Sequence, residues 1–409
     1  MHLRCKLAGA YCNSGIARNT AFMTSLFSFV ISIVPILFTY KSFVPGVNMG
    51  ELVLVIFSFF TVFTNRQTGG LWSKRIMTVW YLYILFIAFN ALISIALVNE
   101  NSANIIVRTV RYSSYYLFVI ICSRKIADVK QIMKWVLRIS VIIVSVIIIQ
   151  YILYYSMGMR LKFYIPSLIY TEGYNYITYS SNSLFRPASL FLEPSLIGQY
   201  LYIPLAFCLL SKTDINHRYI FAFISSAGML LSKSLWTYIF LIVIWGIWLL
   251  SRYFAKDIKH KFRYLPLLII VPAICIYLWN TTIVQDAVSR LMLDNITESA
   301  AFRSRFSGYD VLDIFSVSER IFGIGFGNLR GFSASNYILY VLIGTGYIGV
   351  ALFFLFCFIS FMSVRTRWQR TALLCFFLLC WGGNAMLSVN CVLQLSVCFA
   401  YFNDAKINE

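Results

Sequence analysis

Long apolar runs recur along the whole 409-residue chain, and nothing else in the sequence restricts its fold as strongly. They lie near 20–40, 50–64, 76–98, 104–122, 134–157, 194–211, 219–232, 235–250, 264–283, 336–362 and 371–388, with a short twelfth at 389–403. A run of about 17 residues or more, coiled as a helix, reaches across roughly 30 Å of hydrocarbon. In lipid the backbone has to satisfy its own donors and acceptors, which leaves helices and closed barrels. The runs are continuous and do not alternate, so the barrel is excluded. Charge usage agrees: 12% of residues are charged, about half the share usual in soluble domains. No small-residue cleavage pattern separates the first run from the second, which makes it a retained span. The expected fold is an all-α polytopic integral membrane protein of 11–12 transmembrane helices, forming one domain over 1–409.

Basic residues set the orientation. With the N-terminus inside, the clusters Arg66/Lys74/Arg75, Arg124/Lys125/Lys130/Lys134/Arg138, Arg252/Lys256/Lys259/Lys261/Arg263 and Arg365/Arg367/Arg370 all fall on the cytoplasmic side. Glu172, Glu193, Asp286, Asp294, Glu298, Asp310, Asp313 and Glu319 then fall outside. The net charge of +19 is mainly this topology signal and no argument for nucleic acid. Inner loops 65–75 and 251–263 would meet anionic headgroups of the surrounding membrane lipids. The ten cysteines and three histidines lie in spans or on the inner side, so no disulfide and no zinc spacing is expected.

Two outer loops are long, about 158–193 and 284–335, and loops of that length are usually functional. In the first, Tyr164, Tyr170, Tyr174, Tyr176 and Tyr179 stand among Asn175 and Asn182. Such rings serve equally as an interfacial belt or as a sugar-binding surface. In the second, Phe302, Phe306, Tyr309, Leu312, Asp313 and Phe315 follow helical spacing, which predicts one short amphipathic helix over 302–317. Gly323, Gly325 and Gly327 read as a tight turn leading into the next span, since no strand or downstream acid completes a dinucleotide motif. Gly344, Gly346 and Gly349 read as helix-packing positions.

Soluble catalytic motifs are missing: there is no HExxH, GxSxG, Walker A or DxD. Asp310 and Asp313 have no third ligand nearby, so no metal and no other cofactor is expected. The outer side instead carries cations. Arg160, Arg186, Arg290, Arg303, Arg305, Arg320 and Arg330 run against the positive-inside bias, Lys233 lies in "LSKS" between two short spans, and Arg108 and Arg111 lie in the outer half of the fourth span. Cations placed there are costly unless paired or given work, and arginine grips phosphate with a fixed fork. Pairing with headgroups or loop acids accounts for Arg290, Arg320 and Arg330, whereas Arg186 with Arg303 or Arg305 reads as functional. Glu193, ahead of Pro194, suits a helix N-terminus equally well as a catalytic role.

"LFRPASLFLEPSLIGQYL", "LSKSLW" and "IFGIGFGN…SNYILYVLIGTGYIGVALFF", in that order and on that side of the membrane, resemble the Wzy-type O-antigen and capsule polymerases, whose architecture is shared by the O-antigen ligases. The resemblance covers about 180–360 in pattern and the whole chain in topology. It implies a metal-independent glycosyltransferase of GT-C-like architecture in the bacterial inner membrane, with both termini cytoplasmic and the active site facing the periplasm. A growing glycan on undecaprenyl pyrophosphate would pass to a lipid-linked repeat unit, with a flippase and a chain-length regulator of the same pathway as partners. Arg186, Arg303 and Arg305 would stabilise the leaving pyrophosphate. Glu193 would act as base or orient an arginine. Lys233, Arg111, Tyr176, Asn336 and Tyr337 would contact substrate. The ligases carry a histidine ahead of the following span; here that place reads "SASNYIL", which favours polymerase over ligase. A flippase or transporter of the same lipid-linked glycan is the alternative from another class.

Overall fold

The apolar runs fold as helices. The computed structural model describes residues 24–63, 74–98, 102–123, 128–161, 168, 185–213, 216–254, 311–330, 334 and 336–400. In it α1 covers Thr24–Leu37, α2 Met49–Phe63, α3 Lys74–Val98, α4 Ser102–Ile121, α5 Val129–Met157, α6 Pro194–Leu210, α7 Arg218–Leu231 and α8 Leu235–Tyr253. Two short helices follow, α9 (Val311–Ile314) and α10 (Val317–Phe322), then α11 (Tyr337–Ser363), α12 (Arg367–Gly382), a 3-10 turn at Ala385–Leu387 and α13 (Asn390–Phe399). Among the described residues there is no strand, only an isolated bridge between Lys41 and Asn48. The expected span 264–283 and most of both long loops lie outside the described residues.

By length and composition four of these helices can cross a membrane: Ile76–Ala96, Val129–Met157, Trp236–Tyr253 and Tyr337–Ser363. In α3, Ile76, Trp80, Tyr83 and Ile87 are buried in the bundle, while Leu82, Leu85, Phe89 and Leu92 are exposed on the other side. A helix apolar all round, with one side uncovered by protein, fits lipid as its solvent.

Local chemistry sets the boundaries. Asp128 caps α5 by accepting from the amides of Lys130 and Gln131, and Gly158 closes it at φ 64°, so this helix starts five residues ahead of the expected 134. At the far end of α7 from Lys233, Arg218 donates to the carbonyls of Cys208, Leu209 and Ser211, which finishes α6. α6 is largely enclosed; it packs on α5, α7, α8 and α12. Its close approach to the first turn of α8 depends on Gly198, where a Cβ would fall 2.0 Å from the Thr237 methyl.

The expected span 336–362 proves to be a hairpin. Gly346 has φ 64° and ψ −164°, a conformation open to glycine and closed to side-chain-bearing residues. In one straight helix Tyr337 and Phe353 would sit about 24 Å apart along the axis, yet their ring centroids are 5.0 Å apart. The chain turns back at Gly346, so limb 337–345 lies inside the bundle, wholly buried, and limb 347–363 runs along its outside with Phe354, Leu355 and Phe358 exposed. The break releases the carbonyls of Ile343 and Gly344, and the amides of Ile324 and Gly325 take them at 3.0 and 2.9 Å. Non-helical backbone among membrane helices is tolerated where protein satisfies it in this way. Gly323 and Gly344 therefore sit where backbone meets backbone; a Cβ on Gly323 would fall 2.4 Å from Gly344, whereas one on Gly325 would meet the Ser94 side chain.

The single amphipathic helix expected over 302–317 is also corrected. Of its described part, α9 ends at Ile314, Phe315 is buried against Ile324, Leu339 and Ile343, and α10 begins afresh at a Ser316–Glu319 capping box. The short polar cap competes with continued helix and wins.

Candidate active site

The segment that carries Arg186 and Glu193 is docked on α5. Phe185 stacks on Tyr154 at 4.3 Å and meets Tyr151 edge-on at 5.5 Å. Gln150 accepts from the Ser189 amide and donates to Leu161 O, while the Ser189 hydroxyl donates to Ile143 O. Ser189 holds φ 53° in this turn, a strain that the surrounding bonds hold in place.

The α7–α8 turn reaches the same place. The Tyr151 hydroxyl donates to Leu231 O at 2.8 Å, and the Ser232 and Thr237 hydroxyls pair at 3.0 Å. Lys233, at φ 49°, projects from that turn with its ammonium 5.5 Å from the Tyr151 ring centroid. Burial, and then the neighbouring Arg186 guanidinium, hold the Lys233 pKa below its ordinary value. Arg186 also acts electrostatically on Tyr151 and Tyr238, and Arg160 lies over the Tyr154 ring at 5.9 Å. Two cations, 47 residues apart in sequence, are thus brought together on a tyrosine-lined surface. Like charges in one place are costly alone and favourable around a polyanion.

Glu193 stands at the N-cap position of α6 but makes no side-chain bond to the helix amides; its carboxylate accepts from the Ser195 hydroxyl at 3.0 Å. Of the two roles open to it, the side-chain capping bond is therefore absent. Pro194 explains part of this, since the first helical residue has no N–H to offer. The carboxylate is half-buried and available to a third group.

Arg111 belongs to a second centre. Its Nε lies 3.1 Å from Glu51 Oε1, and it also donates to Gly46 O. Glu51 further accepts from the Tyr115 hydroxyl and the Asn48 amide, and the Asn48 side chain returns a bond to the Glu51 amide. Arg108, one turn earlier on α4, donates to Gly327 O at 3.1 Å. Thr109 donates to Phe326 O, and Asn90 on α3 bonds both Phe322 O and the Phe326 amide. Residues 322–327 are thus clamped between α3, α4 and α11.

Asn336 and Tyr337 are placed in the interior. Asn336 caps α11 by accepting from the Leu339 amide at 2.7 Å. The Tyr337 hydroxyl joins those of Tyr83 at 2.7 Å and Tyr116 at 2.9 Å, tying α3, α4 and α11 together. Arg330 pairs with the loop acid Glu319 at 2.6 Å, as expected, whereas Arg320 donates to the backbone carbonyl of Phe315 and not to an acid. Arg303, Arg305 and Tyr176 lie outside the described residues. Among the described residues no three of His, Cys, Asp and Glu form a metal-sized group.

Glu51 is the residue that the reading of charges passed over. Its signal was present: Asn48-Met-Gly-Glu51 ahead of an apolar run is an N-terminal capping pattern.

No protein-family model and no curated protein matches the chain.

Proposed function

We propose that the chain is a membrane glycosyltransferase that polymerises a surface polysaccharide, using Arg186 and Lys233 to hold the pyrophosphate of a lipid-linked glycan donor. The observation that carries this reading is the convergence of Arg186 and Lys233 beside Tyr151 and Tyr238, adjoining the turn that opens α6 at Glu193. An acceptor hydroxyl attacks the anomeric carbon of the donor, a new C–O bond forms as the C–O bond to pyrophosphate breaks, and undecaprenyl pyrophosphate leaves with the electron pair. Negative charge grows on the departing phosphate oxygens, where preplaced cations lower the barrier most. The proton of the attacking hydroxyl passes to Glu193. Arg303 and Arg305 complete the phosphate grip in this reading. Ser195, donating to Glu193, holds the carboxylate towards the opening of the helix. Ligase and flippase are the rival readings, and the test separates them.

That test is a gel of surface polysaccharide from a strain lacking the gene, complemented with wild type or with Arg186→Ala. A ladder with wild type, and core plus a single repeat unit without the gene, supports polymerisation. An Arg186→Ala strain held at one unit, with protein level unchanged, assigns that arginine to the reaction. Loss of even the single unit in the empty strain overturns the reading in favour of ligase or flippase.

A further inference from the structure

The connection between α12 and α13 lies deep in the bundle. The Tyr337 hydroxyl, at the start of α11, meets Tyr83, which lies about 10 Å inside one limit of the span Ile76–Ala96 and about 20 Å inside the other. The Tyr337 amide donates to Gly383 O at 3.0 Å, so the connection sits at much the same depth. Between Gly382 and Asn390 the chain leaves the α-helix. Such backbone within hydrocarbon is tolerated where protein covers it or where it lines a water-filled cavity. Asn384 is exposed, and Gly383 and Ser388 are half-buried, so the connection borders a polar recess.

Three buried polar atoms at this connection have no partner among the described residues. Asn390 and Gln394, one turn apart on the same face of α13, are 3% and 2% exposed, and the side-chain carbonyl oxygen of each is unsatisfied. The Gln394 amide nitrogen donates to Gln199 O at 2.8 Å, which turns this face towards α6. α6 and α13 run the same way: Phe207, near the end of α6, meets Trp368, and the adjoining Gln369 donates to Val397 O and Ala400 O at the end of α13. Asn390 therefore lies on the Glu193 side of Gln394. The third atom is Trp236 Nε1, on the ring edge that lies against Gly382, where a Cβ would fall 2.3 Å from Cε2. Buried polar atoms left unpaired are rare in a folded protein and call for an occupant.

We propose that this recess holds a neutral sugar ring of the lipid-linked glycan, with Asn390 and Gln394 accepting from its hydroxyls and Asn384, Ser388 and the Trp236 N–H completing the contacts. This rests on the glycan-transfer reading above and adds where the glycan sits. Charge keeps the phosphate elsewhere: 371–403 carries no charged residue, and bare carbonyl oxygens repel a phosphate, which can only accept. A sugar hydroxyl both donates and accepts, so it serves the two carbonyls and the indole N–H alike. Trp236 follows Lys233 by three residues, which sets the recess next to the cation pair.

The test uses the purified full-length protein in lipid nanodiscs and two probes, the lipid-linked repeat unit extracted from a strain lacking the gene and bare polyprenyl pyrophosphate. A membrane-impermeant maleimide is expected to label Asn384→Cys above the wild-type background and to leave Leu85→Cys, on the exposed side of α3, unlabelled. The repeat unit is expected to slow that labelling, and the bare lipid to leave it unchanged. Wild type is expected to bind the repeat unit about tenfold more tightly than the bare lipid. Asn390→Leu should lose that preference without melting lower, since an apolar group replaces an unpaired oxygen. Asn384→Ala, at an exposed position, should lose part of it and reads the site should Asn390→Leu fail to fold. An Asn384→Cys protein that resists labelling overturns the proposal. So does an unchanged preference in the two variants, which would leave a buried water as the partner of these oxygens. Equal binding of both probes by wild type overturns the sugar site alone, whereas binding of neither overturns the glycan-transfer reading with it.

Discussion

Lys233 presents its ammonium to the face of Tyr151, 5.5 Å from the ring centroid, while the hydroxyl of the same ring is engaged by Leu231 O. The ring therefore fixes the α7–α8 turn on α5 and at the same time offers the lysine an electron-rich face, an attraction of about 0.5–2 kcal/mol according to desolvation. Burial, and then the neighbouring Arg186, work against the charged form.

That opposition gives a pH prediction. Lys233 has its pKa lowered by burial and by Arg186, so in the free protein it becomes neutral at a lower pH than an ordinary lysine. A bound phosphate favours the ammonium, so binding takes up a proton and weakens as pH rises through the free-state pKa. Affinity for a pyrophosphate lipid analogue, titrated by tryptophan fluorescence from neutral to alkaline pH, is expected to fall in the wild type. In Lys233→Arg, whose charge does not titrate in that range, the profile is expected to be flat. A fall of the same shape in Lys233→Arg would remove Lys233 from the site.

The hairpin at Gly346 can be tested by adding one methyl group. A Cβ there would lie 2.3 Å from Ile321 O, and φ 64° is strained for alanine regardless of space. Gly346→Ala is expected to destabilise the protein by about 3 kcal/mol or more. Gly246→Ala is the control: it sits inside α8 with no atom within 4 Å of the new methyl and should be neutral or stabilising by about 0.5–1 kcal/mol. Thermal unfolding in detergent, followed by thiol labelling of the buried cysteines, reads both. Equal melting of the two variants would show that α11 does not turn at Gly346.

The helices themselves were legible because length and hydropathy suffice for a membrane run, and α3, α6 and α8 begin and end within a few residues of the expected limits. The hairpin in α11 was not, because its two limbs are equally apolar and a glycine that turns a chain looks the same in sequence as one that lets helices pack. The cation pair was legible only as a composition, an excess of outer arginine and lysine. That Arg186 meets Lys233 depends on Phe185, Gln150 and Ser189 docking the loop on α5, contacts between residues that carry no charge. Tyr337 shows the converse limit. A hydroxyl-bearing ring near a loop reads as a substrate contact until its partners, Tyr83 and Tyr116, are seen to occupy it.

Those three hydroxyls form the next prediction. Removing the Tyr337 hydroxyl leaves both partners without it in a dry interior, and each unpaired buried polar group costs about 1–3 kcal/mol. Tyr337→Phe is expected to lower stability by about 2 kcal/mol, with little effect on phosphate-lipid affinity. Combined with Tyr83→Phe the loss should be less than additive, because the bond between them is already gone. Strict additivity in a double-mutant cycle would mean that the two hydroxyls do not interact, and a selective loss of affinity would return Tyr337 to the binding surface.

Glu51 and Arg111 make the strongest stability claim, since the carboxylate is buried and engaged by Arg111, Tyr115 and the Asn48 amide together. Glu51→Gln leaves the arginine without its counter-charge, while its amide oxygen can still accept from the Asn48 amide and keep the capping pair. Breaking one side of a fully buried pair costs about 3–5 kcal/mol, and the cost here is expected to be smaller because the stranded Arg111 side chain is 30% exposed and hydrated. Removing both charges in Glu51→Gln/Arg111→Gln takes that penalty away, so the double variant is expected to melt above Glu51→Gln alone. The same comparison settles what the pair does, because a pair kept only for stability tolerates joint replacement, whereas an Arg111 that contacts substrate loses polymer ladder length in the double variant even where folding is recovered.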